Sequence, residues 1–455
     1  MSVHEVSRRT FIQSTAAATV GFGVSGASAF QAKGANDRIV LAIVGTNGRG
    51  AQHAKLLSRM PGVEVGYICD VEAKALAKGM AAVATSQDRK PMAAVDFRRV
   101  LEKKDVDAVV IATPDHWHAP AAILACAAGK DVYVEKPCSH NPLEGELLVA
   151  AARRYSRIVQ MGSQRRSWPN IIDLVSKLRD GSLIGRVYFA RGWYANTRGP
   201  IGVGNPAPVP AGLDYDLWQG PAPRKPFKDN LIHYNWHWFW HWGTSEVCNN
   251  GTHEIDVMRW AMDVAYPVRV ESSGGRYHYK DDWECADTQT ASFEFEGGKS
   301  FVWEGRSCNG FKTEGLSRGI TFHGERGTVL VDDNAYTVFD QKQKVVAKVT
   351  DVAEQSTIDT TGPGDRLDAY HVDNFIECLR SRKAPNADIL EGHRSVTLCH
   401  LANIAYRVGH TVRCDPKTGH ILDASDAQAL WGRTYERGWE PEGFAATGET
   451  WRRRP

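Results

Sequence analysis

Residues 39–50 read IVLAIVGTNGRG: six apolar residues, a glycine, and a polar turn that closes on another glycine. An apolar run of that length suits a strand buried on both faces, and the helical stretch AQHAKLL (51–57) behind it makes the unit strand, tight turn, helix. Gly45 permits the sharp exit from the strand, and Gly50 lets the helix pack close. The helix N-terminus then offers backbone N–H groups to a pyrophosphate. Gly45, Thr46, Asn47, Gly48, Arg49 and Gly50 form the candidate cofactor cradle. Asn47 stands where the middle glycine of G-x-G-x-x-G is usual; it tolerates left-handed backbone but brings a side chain.

Outward from this turn the same grammar repeats. VEVGYICD (63–70) is a second strand ending in Asp70, twenty residues past Gly50. A carboxylate there accepts hydrogen bonds from ribose hydroxyls and repels a 2′-phosphate, which favours NAD over NADP. DVDAVVIATP (105–114), AAILACAAG (121–129) and DVYVEKP (131–137) add strand, helix and strand, and RIVQMG (157–162) finishes the set. Strands alternating with helices predict a parallel sheet covered on both faces, a Rossmann domain over 37–162.

After about residue 165 the pattern changes. GRVYFARGWYA (185–195), ADTQTASFEFEGG (286–298) and KSFVWEGRS (299–307) alternate like half-buried strands, and GITFHGERGTVLVDD (319–333) reads as a strand pair joined through Gly324 to Gly327. Residues 163–455 are expected to form an α+β domain on a large, mostly antiparallel open sheet. Residues 199–226, rich in Pro and Gly, are expected to be a long ordered loop rather than an element. Val372, Phe375 and Leu379 share one helical face, as do Val396, Cys399, Asn403 and Tyr406.

The N-terminus carries a different signal. SRRTFIQ (7–13), the mild apolar run Ser14–Val24 and the small-x-small triplet Ala27-Ser28-Ala29 resemble a twin-arginine signal peptide over residues 1–29. The resemblance implies the twin-arginine export machinery as a partner, the periplasm as destination, and a mature chain starting near Phe30. With 42% apolar and 24% charged residues and a net charge of +2, the 455-residue chain has the composition of an ordinary globular protein, without the basic field that nucleic acid requires. Beyond the leader no apolar run reaches the roughly 18 residues of a membrane span, so no membrane association is expected of the mature form. The nine cysteines are odd in number and lack any C-x-x-C pair, which argues against a zinc site or a disulfide framework and for buried inert thiols.

Three further motifs carry chemistry. IATPDHWHAP (111–120), VEKP (134–137) and NNGTHEID (249–256) occur in the order and spacing of the Gfo/Idh/MocA oxidoreductases, named for glucose-fructose oxidoreductase, inositol dehydrogenase and a rhizopine-catabolism protein. This chain resembles that family over nearly all of its mature length. The resemblance implies a Rossmann domain followed by an α/β substrate and oligomerisation domain, a homo-oligomer (dimer or tetramer), and a carbohydrate substrate. It also implies that Thr113, Pro114, His116, His118, Glu135 and Lys136 line the cofactor cleft, with a cis peptide before Pro137.

Lys136 matches the family lysine beside the nicotinamide, where a fixed ammonium stabilises the alkoxide that develops on the reacting carbon's oxygen. His253 matches the histidine that exchanges a proton with the same hydroxyl. Asn249 stands where many polyol dehydrogenases of the family carry the aspartate that supports the histidine; an amide can orient His253 but cannot stabilise an imidazolium by charge. Asp256, one turn on, suits a capping or orienting role. In NWHWFWHWG (235–243), Trp236, His237 and His241 are candidates for a sugar platform, and a packed aromatic core explains the same residues equally well. No carboxylate pattern completes a metal site with His237, His241 and His253, so no metal is expected. Arg165 and Arg166 are cleft-edge candidates, although a surface position suits them better. The leading expectation is an NAD-dependent oxidoreductase acting on a secondary hydroxyl of a sugar, polyol or glycoside, with a tightly bound cofactor because an export signal precedes the nucleotide turn. A redox-neutral glycosidase or epimerase working through a transient keto-sugar is the alternative, ahead of a non-catalytic sugar binder.

Overall fold

A computed structural model of the protein describes residues 38–333, 335–350 and 365–441. The twin-arginine leader read at 1–29 lies outside the described residues.

Six parallel strands make the first sheet: β1 (Ile39–Val44), β2 (Val63–Cys69), β3 (Met92–Ala94), β4 (Ala108–Ile111), β5 (Asp131–Val134) and β6 (Val159–Met161), in the order β3-β2-β1-β4-β5-β6. β1, β4 and β5 are buried along their whole length, as their unbroken apolar runs require. β3 is three residues long and mostly exposed, which is why the sequence does not announce it. The strand order reverses between β1 and β4, so a crevice opens at their C-terminal ends.

The second sheet has ten strands: β7 (Val187–Ala195), β8 (Arg269–Gly275), β9 (Thr288–Phe295), β10 (Lys299–Arg306), β11 (Arg318–Gly324), β12 (Gly327–Asp332), β13 (Ala335–Asp340), β14 (Val345–Val349), β15 (Val412–Cys414) and β16 (Ile421–Leu422). Only the β7–β10 pairing is parallel, and the expected hairpin is β11–β12, with Gly324 paired to Gly327. Helix Gly251–Ala261 lays Ile255, Val257 and Met258 into the core that Phe293, Phe301, Trp303 and Phe322 build on this sheet.

Two long helices from the end of the chain return to the first sheet. Helix Asp365–Ser381 sets Val372, Phe375 and Ile376 against Leu41, Ile43 and Val65 on one face. Helix Ile389–Val408 places Ile389 and Val396 in the core of the other face. Residue 162 therefore divides the two sheets but not the two cores.

Two local features position the site. Helix Asp115–Ala127 contains Pro120, which has no N–H to give the carbonyl of His116; Arg433 Nη2 donates to that carbonyl instead, at 2.7 Å. The 199–226 segment is a loop, as expected, except for one helical stretch, Tyr215–Gln219, whose first turn is capped by Asp214 Oδ1 accepting the Leu217 N–H at 2.9 Å. That stretch seeds a cluster of its own, Tyr215, Trp218, Phe227, Leu231, Trp236 and Trp242. All nine cysteines are free and buried. No helix among the described residues is long and apolar enough to cross a membrane.

Candidate active site

A cleft of about 420 Å³ runs from the Gly45–Arg49 turn past Asp70, Thr113 and Lys136 to His253. Gly45 has φ +82°, and a Cβ on it would lie 2.7 Å from the Ala112 carbonyl oxygen; a Cβ on Gly50 would lie 1.8 Å from the Gly45 oxygen. Both positions need glycine, so the turn keeps the shape that its sequence implies. Gly50 acts from behind the turn rather than from the cleft wall. No side chain caps helix Arg49–Leu57, and the Ala51 N–H turns back to the Gly48 carbonyl at 3.1 Å, so the Arg49 and Gly50 amides are the ones left for an anion. Asp70 Oδ2 accepts the Thr46 N–H at 2.6 Å and Oδ1 the Glu72 N–H at 3.0 Å. Burial pushes the Asp70 carboxyl up, against the pull of those two amides.

Arg49 lines the cleft, but its guanidinium is a brace: it donates to both oxygens of Asp368 (2.8 and 2.7 Å) and pairs with Glu135 at 3.2 Å. Glu135 also holds His53 Nε2 at 2.8 Å and the Lys136 backbone N–H at 3.2 Å. Burial opposes ionisation of Glu135, yet Arg49 and His53 hold it well below the usual carboxylate range. An NAD-type dinucleotide fits this cleft: the uncapped helix suits its pyrophosphate, Asp70 its ribose, and the buried, unpartnered Thr113 Oγ1 gives it a polar contact. Pro114 completes this wall. His118 lines it too, its ring bridging the carbonyls of Thr113 (2.8 Å) and Pro137 (2.6 Å).

The Lys136–Pro137 peptide is cis, as the resemblance implied. Lys136 Nζ donates to the Asn249 backbone carbonyl at 2.6 Å and to Asn249 Oδ1 at 3.1 Å. Burial lowers the pKa of this ammonium, against the nearby Glu135 and Asp115 carboxylates. His253, on helix Gly251–Ala261, is 2% exposed and leaves Nε2 buried without a partner. Burial first, then the cations Arg318, Lys136 and Arg165, hold its imidazole well below the ordinary histidine range, in the neutral form.

Several sequence-based assignments need correction. Asn249 is hydrogen-bonded to Lys136, and its Nδ2 donates to Glu246 Oε1 at 3.3 Å. It is therefore the lysine's partner rather than the orienter of His253. His116 is fully buried behind the cleft, its Nε2 2.9 Å from the Trp218 carbonyl and its ring packed between Trp218 and Trp242. His241 points away, its Nε2 2.8 Å from the Pro223 carbonyl. Arg165 and Arg166 are neither surface nor cleft-edge residues: Arg165 pairs with Asp333 at 3.3 Å and Arg166 is clamped on Asp256. Their positions follow from carboxylates on distant segments, half-buried Asp333 and buried Asp256, which local sequence does not reveal. The tryptophan segment divides between the two readings: Trp236 and His237 line the cleft, stacked at 3.6 Å, whereas Trp238 stacks on Trp283 and Trp242 joins the core.

The structure adds residues that the sequence reading passed over. Tyr234 borders the cleft at the start of the tryptophan segment, and Arg198 lies over its ring at 5.4 Å while pairing with buried Glu246 at 3.0 Å. Asp115 is buried near Lys136 and accepts a hydrogen bond from Thr244 Oγ1. Asp115 stood within a quoted motif; nothing local singles out Arg198 or Glu246. Among the described residues no group of three or more His, Cys, Asp or Glu is placed to hold a metal.

Comparison with known proteins agrees with this arrangement. Residues 39–163 match the model of an oxidoreductase family's NAD-binding Rossmann fold, and residues 192–440 match the C-terminal alpha/beta domain of the same family. The chain belongs to the Gfo/Idh/MocA family. Among relatives, this Gfo/Idh/MocA protein is 33% identical over 210 residues to a glycosyl hydrolase family 109 protein of Saccharopolyspora erythraea, covering 41% of this chain and 45% of that one. It is 27% identical over 303 residues to an inositol 2-dehydrogenase of Rubrobacter xylanophilus, covering 66% and 73%. The first of these matches thus spans less than half of the relative's length. Its fold is similar to that of the WlbA dehydrogenase from Bordetella pertussis, solved with NADH and UDP-GlcNAcA, at TM-score 0.60 and 22% identity over 83% of this chain and 99% of that one.

Proposed function

We propose that this protein is an NAD-dependent oxidoreductase acting on a secondary hydroxyl of a sugar, polyol or glycoside. The observation that carries the reading is one cleft holding an uncapped glycine turn at one end and, at the other, a buried ammonium and a neutral imidazole with a free nitrogen. NAD, when bound, would supply the hydride acceptor for a carbinol carbon, and its reduced form the donor to the corresponding carbonyl.

The protein's own residues handle charge and protons. The Lys136 ammonium has three N–H groups, of which the two Asn249 oxygens take two, leaving one for a substrate oxygen as negative charge develops there. His253 accepts the hydroxyl proton at Nε2. Burial, then Arg318, Lys136 and Arg165, disfavour the imidazolium, so His253 holds the proton only until product release lets it pass to solvent. Trp236 and His237 offer a flat apolar face and a ring nitrogen suited to the C–H face and hydroxyls of a sugar.

A second reading is a redox-neutral glycosidase. It is favoured by the relatives named glycosyl hydrolase family 109 and by an amide, Asn249, where many polyol dehydrogenases of the family carry an aspartate. Export by the twin-arginine route to the periplasm, a tightly held cofactor and a homo-oligomeric state belong to the same proposal. They rest on SRRTFIQ and the family resemblance.

Incubating the protein with a panel of glycosides and polyols, without added nucleotide, and weighing the products separates the readings. A product two mass units lighter supports oxidation, and free aglycone with an intact sugar supports the glycosidase. Unchanged substrates throughout, with and without added NAD, overturn both.

A further inference from the structure

The cleft continues past Asp70, away from Lys136, into an end whose far wall does not come from the Rossmann sheet. Val95 and Phe97 line it together with Leu213, Leu217 and Trp218 from the proline- and glycine-rich loop of the second half. With a pyrophosphate on the Gly45–Gly50 turn and a ribose at Asp70, this end falls to the adenine, and its apolar and aromatic lining suits a flat heterocycle.

The loop is fastened across this end. Gly212 carbonyl accepts the Ala73 N–H at 2.9 Å, Val71 carbonyl accepts the Asp214 N–H at 2.9 Å, and Leu213 bridges Glu72 in antiparallel register. His233 Nε2 lies 3.2 Å from Glu72 Oε1. Behind these contacts the Trp218 carbonyl takes the Trp117 Nε1–H at 3.0 Å, tying the loop to helix Asp115–Ala127. The same segment then runs on to Tyr234, Trp236 and His237 at the catalytic end. One stretch, 212–237, therefore walls both ends of the cleft.

We infer that residues 212–218 with His233 form a cis-acting strap over the adenosine half of the cofactor, and that dinucleotide leaves only when the strap unzips from Val71–Ala73. The inference rests on the NAD-binding reading and adds adenosine-side residues to it. A retained cofactor follows from the strap's own backbone pairing and its apolar anchor.

Nucleotide exchange, rather than turnover, provides the test. The purified full chain is loaded with radiolabelled NAD, and loss of label into excess unlabelled NAD is followed by rapid desalting. Leu213→Ser removes the apolar anchor and is expected to speed release by about tenfold or more. A lock tests the opposite direction: a Cβ on Gly212 would lie 3.4 Å from the Ala73 Cβ, just under the usual disulfide span, and the φ of +85° there strains any cysteine, so the reduced form of the same variant is the reference. The double variant A73C/G212C, oxidised, is expected to release label about tenfold more slowly than after reduction, with matching melting curves showing that both forms are folded. Equal release from the oxidised and reduced forms, with Leu213→Ser at the wild-type rate, overturns the strap and leaves NAD binding standing. Failure of the wild-type chain to take up any label overturns the NAD reading itself.

Discussion

Lys136 and Asn249 meet twice: the ammonium donates both to the asparagine's backbone carbonyl, at 2.6 Å, and to its side-chain oxygen, at 3.1 Å. The amide is oriented at both ends, because its Nδ2 faces the buried Glu246 carboxylate. A carboxylate in its place would set two negative charges together at that end. The amide suits a site where the lysine needs an acceptor and the glutamate needs a donor.

Asn249→Leu tests this assignment. Losing the Oδ1 acceptor disfavours the charged lysine, so the alkaline limb of the kcat/KM profile is expected to move to lower pH, with kcat reduced about tenfold or more. Movement of the acid limb alone would return Asn249 to His253.

Lys136→Met is expected to lower turnover about 10³-fold, the scale of losing an electrostatic donor to a developing oxyanion. Bound nucleotide should stay near the wild-type level, measured after denaturation of the purified protein. Activity within tenfold of wild type would remove Lys136 from the chemistry.

Arg165→Met removes one of three cations that hold His253 neutral, and breaks only a 3.3 Å pair with Asp333 and a 3.9 Å approach to Glu254. The histidine works as a base when deprotonated, so raising its pKa moves the acid limb of kcat/KM upward. An acid limb that stays in place would show that Arg165 does not act on His253.

The buried histidines make stability depend on pH. Burial holds His400 down to about 3, and His371 and His393 down to about 4. In the unfolded chain they titrate near 6.5. As pH falls below about 6.5 the unfolded state binds protons that the folded state refuses, so stability drops by up to about 1.4 kcal/mol per pH unit and group, until the folded values are reached. The melting midpoint is expected to fall steeply between about pH 6.5 and 4. A flat midpoint over that range, with no proton uptake on unfolding by calorimetry, would contradict the neutral buried state.

The parts of this molecule that local sequence encodes were legible. Apolar runs gave β1, β2, β4 and β5, the glycines at 45 and 50 gave the turn, and EKP with NNGTHEID led to Lys136 and His253, which line one cleft. Burial and partner choice were not legible, because they depend on segments far apart in the chain. His116 and His118 are two residues apart on one helix, yet one is sealed behind Trp218 while the other borders the cleft. Arg165 read as a surface residue until Asp333 supplied its counter-charge. The proline- and glycine-rich loop gave no sign that Leu213 would close the cofactor cleft, since its pairing with Val71–Ala73 is non-local.

The ion pair between Arg49 and Asp368 joins residues 319 positions apart, and Val372, Phe375 and Ile376 cover strands that begin at residue 39. A growing chain that has reached residue 163 has every strand of the first sheet but lacks the late helix that completes each face. The nucleotide pocket, whose Arg49 is held by Asp368, is therefore expected to mature only after helix Asp365–Ser381 has been made. A fragment ending at residue 163 is expected to aggregate rather than bind nucleotide, and any passenger dinucleotide has to be taken up late, by an almost finished chain.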